Sequence, residues 1–113
     1  MSIIDREQFN ENFQYYDKET IRLVIDNFLE ESDERLGSME KNISDRDFQK
    51  LAFNAHSFKS VVGNFMAPKP FEACRILEEM ANQNSEKDIL AVFTELKTLT
   101  AGLILELKEY LKE

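Results

Sequence analysis

The chain has 113 residues and a formal charge of −8, with 22 acidic side chains against 14 basic ones. That balance argues against a phosphate-neutralising nucleic-acid surface and against docking on anionic lipid. A single cysteine, Cys74, excludes an internal disulfide and a cysteine-based zinc site.

Only three glycines and two prolines punctuate the sequence, while Glu, Lys, Leu and Ala are plentiful, so the expected fold is all-α. The length suits one domain over residues 1–113. The start, Met1-Ser2-Ile3-Ile4-Asp5, has neither a basic n-region nor an apolar run of signal length. No stretch approaches the ~20 apolar residues that span a bilayer. A cytoplasmic, free-standing protein with no membrane partner is the expectation.

Asp5, with Gln8 in capping-box spacing, opens a short first helix whose stripe is Phe9, Phe13 and Tyr16. So short a helix needs support and is expected to lie across one end of a bundle. Asp17 restarts the chain as N-cap of a long second helix. Ile21, Ile25, Phe28, Ser32, Leu36, Met39 and Ile43 recur there at steps of three and four, the seam of an antiparallel bundle helix. Glu30, Glu31, Asp33 and Glu34 fall on its other side and read as a solvated face.

Ser44 and Asp47 repeat the capping spacing before a third helix with the stripe Phe48, Leu51, Ala55, Phe58, Val62 and Phe65. Pro68 and Pro70 require that helix to end near Ala67 and suit the first turn of a fourth. The fourth is expected to bury Phe71, Cys74, Leu77, Met80 and Ala81. Ser85 and Asp88 signal the last helix, striped by Ile89, Val92, Phe93, Leu96, Leu99, Leu103, Leu107, Tyr110 and Leu111. Short connections then favour an antiparallel up-down-up-down four-helix bundle with a short additional N-terminal helix. Gly37, Gly63 and Gly102 fall inside helices, where each costs about 1 kcal/mol against Ala. Helix packing is the expected reason at Gly37 and Gly102.

The chemistry concentrates on the third helix, around the only histidine. At about 100° per residue, its buried stripe centres roughly 125° from His56, so the imidazole faces outward. Gln49, Ala52, Lys59, Ser60 and Gly63 fall near it in angle. Ala52, Ser60 and Gly63 are small and leave the ring accessible, while Lys59 can reach an anion attached to it. Phe53 points away from the core on the same side and is a candidate docking contact. With no second histidine and no cysteine pair, a metal site lacks ligands. No Ser or Cys nucleophile stands in a triad context. What remains is an imidazole that accepts a transferred group on a ring nitrogen.

Ala55-His56-Ser57-Phe58-Lys59-Ser60, then Val61-Val62-Gly63-Asn64-Phe65 and Cys74-Arg75-Ile76-Leu77-Glu78, resemble the motifs of histidine-containing phosphotransfer (HPt) domains. Two positions depart from that pattern: Ser60 stands where the family has glycine, and Met66 where a small residue, commonly glycine, precedes the loop. The resemblance implies relay of a phosphoryl group between receiver-domain aspartates through phosphohistidine at His56, with Lys59 neutralising phosphoryl oxygens. Gln49, Ser60 and Asn64 would be hydrogen-bond candidates, and Ala52, Gly63 and Phe53 would belong to the docking face. It further implies two partners, the receiver of a hybrid sensor histidine kinase and a response regulator. The domain itself would hold no metal or cofactor, the receiver supplying Mg2+. No Gly-rich nucleotide loop is present, so autokinase activity is not expected; a monomer is. The alternative is a non-catalytic helical adaptor of the same fold.

Overall fold

A computed structural model describes residues 2–113. Met1, which bears on the reading of a free-standing protein, lies outside them. Five helices appear among the described residues: α1 Arg6–Asn12, α2 Lys18–Ser44, α3 Phe48–Gly63, α4 Pro68–Asn82 and α5 Ile89–Leu111. Helices α2 to α5 close a ring in which each packs on its two neighbours, α3 against α4 most extensively.

Cross-helix pairs show the antiparallel order. Arg22 of α2 donates to the Leu111 carbonyl and Lys97 of α5 reaches Glu40. Arg35 and Asn42 of α2 meet Ser57 and Asn54 of α3. The four-helix bundle with an added N-terminal helix is therefore as the periodicity required.

Asp5, Asp17 and Asp47 each cap a helix by accepting the backbone N–H three residues on, satisfying a donor that the helix leaves unpaired. The other two capping signals act differently. Ser44 ends α2 instead of starting α3, and Ser85 precedes a turn. Helix α5 begins only after Asp88, which sits in the left-handed region at φ 67 without a side-chain cap. Helix α3 stops at Gly63, earlier than Pro68 demands, because the chain tightens: Phe65 and Met66 donate to the carbonyls of Val62 and Gly63. Pro68 then supplies the fixed φ of the first turn of α4.

Helix α1 lies across the end where α3 turns into α4 and α5 finishes. The Asp5 N–H donates to the Met66 carbonyl at 2.8 Å, and Asn12 Nδ2 donates to the Asn64 carbonyl at 3.1 Å. Phe9 packs edge-on to Tyr110, and Phe13 stacks on Phe65. Ahead of it, the Glu106 carboxylate takes the N–H groups of Ile3 and Ile4 and the Ser2 hydroxyl. Gly102 belongs to this arrangement and not to helix–helix packing, since a Cβ there would lie 3.2 Å from Ile3 Cγ1. Gly37 has nothing within 4 Å and is not explained by packing.

The core follows the stripes, with Ile25, Phe58, Leu77, Leu96, Leu103 and Leu107 almost fully covered. Leu36, Ile43, Phe48, Met80, Val92, Leu99, Tyr110 and Leu111 are half-buried at its margin. Two expected members lie outside it. Tyr16 follows the end of α1 and is 51% exposed, and Phe71 is 38% exposed.

Ser32 and Thr100 are buried with hydroxyls that meet no partner. A buried, unpaired hydroxyl opposes folding, so Ser32→Ala and Thr100→Val are each expected to stabilise by about 1 kcal/mol. Both should raise the urea midpoint at unchanged m-value. A lower midpoint in either variant would show that its hydroxyl is bonded in solution.

Candidate functional site

The rotation of α3 is set by what it buries. Leu51, Ala55, Phe58 and Val62 are completely covered, which turns the next face outward and leaves the His56 side chain 62% exposed. On one flank, Asn54 Nδ2 donates to the buried Asn42 at 2.7 Å, and Arg35 donates to Ser57 at 3.0 Å. These bonds fix α3 against α2. On the other flank, α4 buries Ala73, Cys74, Leu77 and Ala81, and the residue after Leu77 comes up beside the imidazole.

That residue is Glu78. Its Oε2 lies 2.7 Å from His56 Nδ1 and its Oε1 lies 2.8 Å from Lys59 Nζ. An ionised carboxylate only accepts, so the contact assigns a proton to Nδ1, and in the neutral ring this leaves the lone pair on Nε2. Burial pushes the Glu78 pKa up. Hydrogen bonds from Lys59 and then His56 outweigh that and hold it below the usual carboxylate value. The result is an oriented, largely exposed imidazole with a lysine ammonium one turn along, both held by one carboxylate.

Lys59 is less free than its helical angle suggests. Its side chain is 19% exposed, and the Phe71 ring lies on it at 5.9 Å from Nζ to the centroid. Gly63, expected to keep the space beside His56 open, is instead covered by Phe71. Gln49, Phe53 and Ser60 are exposed and Ala52 is half-buried; Phe53 is 74% exposed. The Ser60 hydroxyl turns back to the His56 carbonyl at 3.4 Å. Asn64 is exposed and follows the last turn of α3, its carbonyl held by Asn12. Cys74 is close enough to feel Lys59 and Glu78, but burial pushes its thiol up to about 12, which leaves it a core residue and not a nucleophile. Among the described residues no group of three or more His, Cys, Asp or Glu converges as a metal site. None of the helices is long and apolar enough to cross a membrane.

Glu78 stands in the Cys74–Glu78 segment but has no role from sequence. A signal for it exists: His56 and Glu78 are equidistant in sequence from Ala67, in the turn between two antiparallel helices.

A family model described as "Hpt domain" matches residues 23–112. The chain belongs to the Hpt domain family. Its structure is similar to the crystal structure of histidine-containing phosphotransfer protein B (HptB) from Pseudomonas aeruginosa PAO1, with a TM-score of 0.90 at 24% identity. The alignment covers 97% of this chain and 95% of that one, which shows a shared fold. None of the curated proteins compared with the chain matches it.

For this Hpt domain, the departure at Met66 has a structural consequence. Met66 has φ 55, a left-handed conformation that glycine adopts without steric cost. Its N–H and carbonyl are both used, by Gly63 and Asp5, which hold the turn in place.

Two measurements check the Glu78 contact. Nitrogen-15 NMR of neutral His56 is expected to show the Nδ1–H tautomer, and Glu78→Ala to shift it toward Nε2–H; an unchanged tautomer in the variant would remove Glu78 from this role. The second follows from linkage. A carboxylate whose folded pKa lies below its ordinary 4.5 contributes stability fully above that pH and loses it as pH falls through the folded value. The stability advantage of wild type over Glu78→Gln is therefore expected to shrink as the pH is lowered from 4.5. An advantage that grows in that range would reverse the assignment.

Proposed function

We propose that this Hpt domain is a phosphoryl carrier that takes the group from one receiver-domain aspartate and passes it to another. The observation that supports this best is the exposed His56 ring held through Nδ1 by Glu78. Nε2 attacks the phosphorus of an aspartyl phosphate. The P–Nε2 bond forms as the P–O bond to the aspartate breaks, and the carboxylate leaves with the electron pair. The ring gains positive charge in this step, and Glu78 compensates it through the Nδ1–H hydrogen bond. Transfer to the second receiver reverses these events.

Positioning and charge account for most of phosphoryl-transfer catalysis, and the site offers both. Lys59 moves from Glu78 to the phosphoryl oxygens. The Ser60 hydroxyl, Gln49 and Asn64 are exposed hydrogen-bond candidates spread along α3 and its C-terminal end. Ala52 keeps the profile of the site low, and Phe53, one turn before His56, is the apolar contact for the receiver. The receiver brings Mg2+. The donor is the receiver of a hybrid sensor kinase and the acceptor a response regulator, both meeting a monomer of this domain in the cytoplasm. With no Gly-rich loop in the sequence, the domain does not phosphorylate itself from ATP.

The test uses phosphorylated receiver domains from the same genome. Acid-labile, base-stable phosphate is expected on wild type and none on His56→Gln. Lys59→Ala is expected to transfer on the order of tenfold more slowly, with unchanged helical circular dichroism. Absence of label on wild type across the full set of receivers would leave the adaptor reading in place.

A further inference from the structure

We infer that Phe71 is a positioning residue for Lys59, and that position 63 is glycine so that the Phe71 ring can reach it. The inference rests on the reading of Lys59 as the cation that meets the phosphoryl group. Phe71 stands in the first turn of α4 and is 38% exposed, so the core does not account for a large aromatic there. Its ring lies against Gly63: a Cβ at that position would sit 3.2 Å from Cδ2 and 3.4 Å from Cε2, so even alanine would push the ring. The Lys59 ammonium lies 5.9 Å from the ring centroid and 2.8 Å from Glu78 Oε1. Ring and carboxylate together leave the lysine side chain 19% exposed.

The chemistry of the two partners differs in a useful way. A carboxylate holds an ammonium by charge and must release it when a phosphoryl group arrives on His56. The negative face of an aromatic ring attracts the same ammonium more weakly and without a second charge. It also removes water from one side of the lysine. Phe71 thereby keeps Nζ near His56 while letting it pivot from Glu78 to the phosphoryl oxygens, which a second acidic residue would resist. The ring also borders an open hollow that it shares with Gly63, Met66, Ala67 and Pro68, so its seat depends on Gly63 and Lys59 more than on surrounding bulk.

Two readouts test this, one independent of phosphoryl transfer. With a phosphorylated receiver as donor, Phe71→Ala is expected to lower kcat roughly two- to five-fold with KM unchanged, and Phe71→Tyr to retain the wild-type rate. In a Lys59→Met background, Phe71→Ala should add nothing, because the residue it positions is gone. Gly63→Ala should reproduce part of the Phe71→Ala effect. Separately, acylation of Lys59 by trace acetic anhydride, followed by mass spectrometry, should be faster in Phe71→Ala and unchanged in Phe71→Tyr. An undiminished effect in the Lys59→Met background, a change in KM alone, or equal Lys59 acylation in Phe71→Ala and wild type would each overturn the inference. If no receiver phosphorylates wild type but Phe71→Ala still exposes Lys59, the positioning stands and the phosphotransfer reading falls.

Discussion

One carboxylate joins the two helices that make the site. Glu78 reaches from α4 to both His56 and Lys59 of α3, and the chemistry open to this surface depends on that bridge. Without it, a neutral imidazole in water has no fixed tautomer and a lysine has no fixed direction. With it, one ring nitrogen is committed as donor, and in the neutral ring the other keeps its lone pair. The carboxylate keeps its charge despite partial burial because two donors hold it.

That bridge demands a close and well-registered α3–α4 pair. The buried face of α4 carries Ala73, Cys74 and Ala81 beside Leu77, and α3 contributes Ala55. Such small residues let two helices approach until side chains of moderate length span the gap. Register comes from the turn between them, where Met66 holds a left-handed conformation and α1 bonds to the carbonyls of Asn64 and Met66. The N-terminal segment, tied to α5 through Glu106, thus braces a turn that sets where Glu78 falls. Stability and site geometry share one set of contacts at this end of the bundle.

The aromatic residues divide by task. Phe9, Phe13, Phe28, Phe58, Phe65 and Phe93 fill the core. Phe53 and Phe71 do not: the first stands open one turn from His56, and the second lies over Gly63 and beside Lys59. Apolar character alone does not separate these groups, because Phe71 follows the same helical spacing as Cys74 and Leu77.

Much of the architecture was legible in the residues themselves. Apolar spacing gave the helices and their inward faces, because a 3.6-residue period leaves one side of each to be buried. The same geometry turned His56 outward, since Leu51, Ala55, Phe58 and Val62 claim the opposite side. Helix starts marked by Asp5, Asp17 and Asp47 were also readable, being local hydrogen bonds between neighbours in sequence. Ser44 and Ser85 misled because their spacing is right while the chain around them follows other constraints, the continuation of α2 and the Asp88 turn. What tertiary structure alone decided were the contacts between elements: Glu78 on His56 and Lys59, Phe71 on Gly63, Ile3 on Gly102. These depend on the register of one helix against another, fixed by turn conformation and by how closely small side chains let backbones approach. Periodicity along a single helix shows which way His56 faces, and the docking of α4 determines which of its nitrogens is held.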